Sequence, residues 1–67
     1  MSYHGTLREK AGEYGLTTTQ LNAICQVTHG APFTKISEEQ ARFLLTIIIA
    51  RGAESTAAWG KELEGSL

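Results

Sequence analysis

Residues 37–52 read "SEEQARFLLTIIIARG", and both ends of a helix can be found in them. Ser37 followed by Gln40 makes a capping box: the serine oxygen accepts the backbone N–H three residues on, and the glutamine side chain accepts the N–H of the serine. Glu38 and Glu39 fall where the positive end of the helix dipole favours carboxylates, and Arg51 falls at the negative end, just before Gly52. The pattern predicts a helix over 38–51. At about 100° per residue, Ala41, Leu44, Leu45 and Ile48 point one way. Phe43 and Ile47 extend that face on one flank and Ile49 extends it on the other, leaving Glu39, Arg42, Thr46 and Ala50 for solvent. The apolar arc is about 240°, against the roughly 100° stripe of an ordinary surface helix. One packing face cannot account for it.

Two further capping boxes precede this helix. Thr6 with Glu9 predicts a helix from about Thr6 to Tyr14, stopped by Gly15. Thr17 with Gln20, supported by a hydrophobic staple between Leu16 and Leu21, predicts a second helix from near Thr18 to His29, before Gly30. The stretch "GAPFTKI" is a loop, because Pro32 lacks an N–H and biases Ala31 away from helical angles. Phe33 in it reads as a plug for the bottom of a bundle. A fourth helical segment, Ser55 to about Glu64, carries Trp59 and Leu63 on one edge and is interrupted by Gly60 at a cost of about 1 kcal/mol relative to Ala. No strand alternation, repeat or low-complexity tract competes with these elements. The fold class expected is all-α: a single domain over 1–67, a small bundle of three to four short helices with the third helix central.

Composition bounds the function. Hydrophobic residues make up 42% of the chain and charged residues 19%, a globular balance, and the net charge of −1 comes from interspersed residues rather than a basic or acidic block. No apolar run is long enough to span a membrane and the opening "MSYHGTLREK" is polar, so neither membrane insertion nor export is expected. The single Cys25 allows no internal disulfide, which favours a cytoplasmic setting for so small a chain. Cys25 and His29 are four apart and share a helical face, but only His4 remains as a third ligand where zinc sites take three or four. Cys25 therefore reads as a small buried hydrophobe and His29 as a residue facing water. The chain has no Asp and no glycine-rich phosphate loop, so neither catalysis, nor a cofactor, nor a small-molecule substrate is expected.

The leading expectation follows from the greasy helix. Outside it, large apolar side chains are few, and several must serve its opposite face. An edge formed by Phe43, Ile47 and Ala50, or the edge at Ile49, is expected to be closed by a partner, as a homodimer or by docking on a larger protein.

A second pattern points elsewhere. Ala11, Gly15, Leu16, Leu21 and Ile24 within "LREKAGEYGLTTTQLNAICQ" resemble the bacterial and phage helix-turn-helix over about twenty residues. The resemblance implies that the second helix would be a DNA recognition helix with Thr18, Thr19, Asn22, Gln26 and His29 towards the bases, Thr17 at a phosphate, and Lys10 among the few backbone-neutralising cations. The helix itself carries no Lys or Arg. Arg8, Lys10 and Lys35 would act against nearby Glu9, Glu13, Glu38 and Glu39.

Overall fold

The computed structural model describes residues 2–66. Among them it forms four α-helices, α1 (Tyr3–Glu13), α2 (Thr18–His29), α3 (Glu38–Arg51) and α4 (Ala53–Gly65), with a 3₁₀ turn over Phe33–Lys35. There is no strand among the described residues, so the all-α bundle expected from the sequence is the fold. The helices pack in two pairs, α1 on α3 and α2 on α4. Contacts between α3 and α4 join the pairs, so α3 lies against two other helices.

Local signals place most boundaries. Thr17 and Gln20 form their capping box at the start of α2, and Ser37 and Gln40 form theirs at the start of α3. The turn after α1 closes with the Leu16 N–H on the Ala11 carbonyl at 2.9 Å and the Gly15 N–H on the Gly12 carbonyl at 3.1 Å. This is the Schellman arrangement, which satisfies carbonyls that the helix end would otherwise leave free.

The start of α1 departs from expectation. Thr6 is not its cap: the helix begins at Tyr3, with Ser2 as N-cap accepting the Gly5 N–H at 3.3 Å. Thr6 lies inside the first turn, and its hydroxyl donates to the Ser2 carbonyl at 3.1 Å. The extra turn forms because Glu38, at the start of α3, accepts the backbone N–H groups of Tyr3 at 2.9 Å and His4 at 3.3 Å. A carboxylate from another helix thereby supplies what a local cap would have supplied.

The fourth helix also begins earlier than its pattern indicates, at Ala53 rather than Ser55. Gly52 is the whole joint between α3 and α4. Its φ of 86° and ψ of 167° lie where only glycine is at ease. The Ile48 carbonyl accepts both the Gly52 N–H at 3.0 Å and the hydroxyl of the fully buried Thr56 at 3.3 Å, which fastens α4 to the end of α3.

The core is one cluster. Leu7 and Ala11 of α1, Leu21, Ile24 and Cys25 of α2, Phe33 and Ile36 of the loop, and Ala41, Leu44 and Ile48 of α3 are buried together. Leu16, Leu45, Ile47, Trp59 and Leu63 pack against them. Phe33 is the plug that the loop sequence predicted.

Gly60 is more than an interruption of α4. It is buried where α4 crosses the start of α2, and a Cβ there would lie 2.5 Å from the Leu16 Cδ2 and 3.2 Å from the Gln20 Cβ. Glycine is what lets the two helices approach. Gly60→Ala should therefore lower stability by about 1–3 kcal/mol through overpacking despite the better helix propensity of alanine. Gly12→Ala, in an α1 position with nothing within 4 Å of the added carbon, should raise it by about 0.5–1 kcal/mol. Chemical denaturation of the two variants beside the parent chain checks both signs.

Candidate functional site

The outer face of α3 is uncovered and carries two large apolar side chains among polar ones. Phe43 is 60% and Ile49 53% exposed, and Ala50 is exposed between them on the helix surface. Ile47 is placed differently. It is half-buried against the core cluster, because its position on the helix turns it towards the side that Leu44 and Ile48 occupy. The two edges expected from the sequence thus bound one face, with Phe43 on one flank, Ile49 on the other, and Glu39, Arg42, Thr46 and Ala50 between. The Thr46 hydroxyl donates to the Arg42 carbonyl at 3.1 Å within the helix. That bond satisfies the Thr46 hydroxyl, while the exposed Glu39 and Arg42 beside it keep their charges in water.

One flank of the face continues onto α2. The His29 ring meets the Phe43 ring edge to face, with centroids 5.9 Å apart. His29 is half-buried rather than facing water, and its Nδ1 is 3.0 Å from the Thr28 hydroxyl. A surface depression of about 390 Å³ lies beside these rings, bordered by Ser37, Glu39 and Gln40. At the far end of α3 the Arg51 guanidinium sits 4.4 Å over the Trp59 ring. That stacking shields the indole edge of α4 from becoming a second open patch.

The residues of the helix-turn-helix pattern come together in part. Ala11, Leu21 and Ile24 are buried in one cluster with Leu16 against it. Thr18, Thr19 and Gln26 lie exposed on α2, and Thr17 is exposed with its hydroxyl accepting the Gln20 N–H at 3.1 Å. Asn22 does not stand free beside them. Its side-chain oxygen accepts the Phe33 N–H at 2.9 Å and ties the 3₁₀ turn to α2. Lys10 is also engaged, 3.5 Å from the Glu13 carboxylate and stacked near the Tyr14 ring.

Two polar arrangements carry no sequence signal of their own. Gln20 is buried, and its amide donates to the Glu64 carboxylate at 2.9 Å, linking α2 to the end of α4. Glu38 collects the Ser2 hydroxyl at 3.1 Å and the His4 ring in addition to the two N–H groups already described. The hydrogen bond from His4 and those from the α1 backbone hold the Glu38 carboxyl down at about 2 from its ordinary 4.5. The same contact raises His4 above 6.5. In each case the partner lies more than thirty residues away along the chain, beyond any local pattern.

No three His, Cys, Asp or Glu side chains converge as a metal site among the described residues, and no described helix is long and apolar enough to cross a membrane. Cys25 is fully buried, and burial pushes its thiol up to about 11. Comparison with known proteins finds no matching family, no similar curated protein and no similar solved structure.

Two measurements follow. Asn22→Ala should lower folding stability by about 1 kcal/mol, since it removes the acceptor of the Phe33 N–H; denaturant titration reads this. Cys25 should label with thiol reagents only as fast as the protein opens, because little of it is thiolate at neutral pH and none is exposed. Labelling in native buffer should thus lag far behind labelling in denaturant.

Proposed function

We propose that this protein acts by association, and that the occupant of the outer α3 face is a second copy of the same chain packed antiparallel about a two-fold axis through Thr46. The observation that carries the reading is the arrangement of Phe43 and Ile49, both more than half exposed on one helix face and each three residues from Thr46 along the chain. In a two-fold antiparallel pair, residues equally distant from the axis on either side lie at the same height. Phe43 then lies level with Ile49 of the second copy, and Ile49 with its Phe43. An exposed apolar side chain meets another at both ends. The Thr46 hydroxyl, already satisfied within its own helix, can be buried without losing a hydrogen bond.

The magnitude sets the affinity. Covering Phe43 and Ile49 contributes about 1–2 kcal/mol each at their present exposure, or roughly 4–8 kcal/mol over both copies, against a comparable cost of association. These two side chains alone therefore support only weak self-association, in the millimolar range or above, with no catalysis and no cofactor in the reading.

A weaker second reading rests on the exposed Thr18, Thr19 and Gln26 of α2 and on the buried helix-turn-helix residues behind them. With Asn22 and Lys10 committed elsewhere, few groups are left to read bases or neutralise phosphates. Binding to duplex on this reading would weaken with salt at a log–log slope of about −0.9 per phosphate contacted.

Sedimentation equilibrium at concentrations up to several millimolar separates the two. Phe43→Glu and Ile49→Glu should each yield monomer with unchanged helix content, while Gln26→Ala should change nothing. Thr46→Cys should form an intermolecular disulfide under mild oxidation, as a residue on the axis must, with the buried Cys25 remaining unreacted. A parent chain that is monomeric at the highest concentration removes the reading. A gel shift with random duplex at low salt that fades as salt rises would favour α2 instead.

A further inference from the structure

His4 sits at a crossing of three elements. It belongs to the first turn of α1, its Nδ1 meets the Glu38 carboxylate at the start of α3, and its Nε2 lies 2.6 Å from the Ile36 carbonyl at the end of the 3₁₀ turn. Its ring edge also rests on the Phe33 ring, with centroids 5.5 Å apart. A carboxylate and a carbonyl can only accept hydrogen bonds, whereas a neutral imidazole has one donor and one acceptor nitrogen. Both contacts are made together only when both ring nitrogens carry protons. The geometry is that of an imidazolium.

We infer that His4 is the pin of a pH-operated latch: protonated, it fastens the first turn of α1 across the starts of α3 and the loop, and deprotonated, it lets go and uncovers Phe33. Loss of one proton leaves a nitrogen lone pair facing either the Glu38 oxygens or the Ile36 carbonyl. The neutral ring can donate to only one of the two acceptors, so one of its two contacts is lost. The Tyr3 and His4 N–H groups then depend on Glu38 alone to hold the start of α1.

The charged groups around the pin are few. Glu38 favours the protonated form from α3. Arg8, one turn along α1, shares a surface cleft with His4 and Phe33 and places its guanidinium 5.6 Å from the Phe33 centroid, where it opposes a second positive charge. Lys35 precedes Ile36 in the 3₁₀ turn and acts in the same sense as Arg8. Glu39 follows Glu38 on α3 and adds to the acidic side. The contact with Glu38 is direct and decides the balance.

The sign runs in one direction for each partner. The folded His4 value lies above its ordinary 6.5, so its contribution is complete below 6.5 and is lost as pH rises through the raised folded value. The folded Glu38 value lies below its ordinary 4.5, so its contribution is complete above 4.5 and is lost as pH falls towards about 2. The latch is fastened most firmly between about pH 4.5 and 6.5.

The test is a proton NMR titration of the full chain in a His29→Gln background, which leaves His4 as the single imidazole, together with amide-exchange protection factors. The expected results are a His4 midpoint above 6.5, the Phe33 ring signals moving with that same midpoint, and protection of the Tyr3 and His4 amides falling about tenfold or more between pH 6 and pH 9. Glu38→Gln should bring the midpoint down. His4→Gln should remove the pH dependence of the Phe33 ring signals and of the melting temperature over the same interval. A His4 midpoint at or below 6.5, or Phe33 signals that stay fixed while His4 titrates, overturns the latch. So does a melting temperature with the same pH dependence in His4→Gln as in the parent chain.

Discussion

Each α-helix leaves backbone N–H groups free at one end and C=O groups free at the other, and a chain that folds into four short helices has those ends close to everything else it must pack. Here the helix ends organise the molecule. The loops are short because the caps are built into them: Leu16 closes α1 while Thr17 opens α2, and Gly52 ends α3 and begins α4 in one residue. Such joints fix where each helix leaves the last. The start of α1 is met across the fold by Glu38, which sits in the first turn of α3 and so joins the two helices that pack most extensively on each other. Satisfying a helix end and choosing a helix pair become the same event.

That difference between local and distant satisfaction decides what could be read from the sequence. The boxes at Thr17–Gln20 and Ser37–Gln40 involve residues three apart, and both helix starts fall where the pattern puts them. Thr6 and Glu9 have the same spacing, yet the chain remains helical for a further turn upstream because Glu38 supplies acceptors that no local reading contains. Asn22 has the same history. Its place on the outer arc of α2 was legible, but its bond to the Phe33 N–H depends on how the loop returns. Gly60 was legible as a cost to α4, whereas its benefit, room for Leu16 and Gln20, lies in another helix joint far back along the chain.

The excess of apolar surface on α3 was legible as an angle and illegible as a location. Six of its side chains look equivalent by composition, and the wheel alone does not say which flank the rest of the chain will cover. The pairing decides. With α1 and α4 both taking the side of Leu44 and Ile48, Ile47 falls against the core while Phe43 and Ile49 fall outside it. Because α2 pairs chiefly with α4, it reaches α3's outer flank only at its last turn, where His29 touches Phe43.

The consequence is a chain whose two pairs share one core and whose longest helix leaves Phe43 and Ile49 outside it. A fifth element could have covered Phe43 and Ile49, but each ordered residue costs roughly 1.5 kcal/mol of conformational entropy, and two half-exposed side chains return only about 1–2 kcal/mol each. A covering helix would therefore be a net loss within this fold unless it brought apolar area of its own. A second copy brings that area already folded and meets only the cost of association. On the pairing proposed above, a preformed second copy covers Phe43 and Ile49 at the cost of association alone. The Thr46 hydroxyl, bonded within its own helix, can lose its water without losing that hydrogen bond.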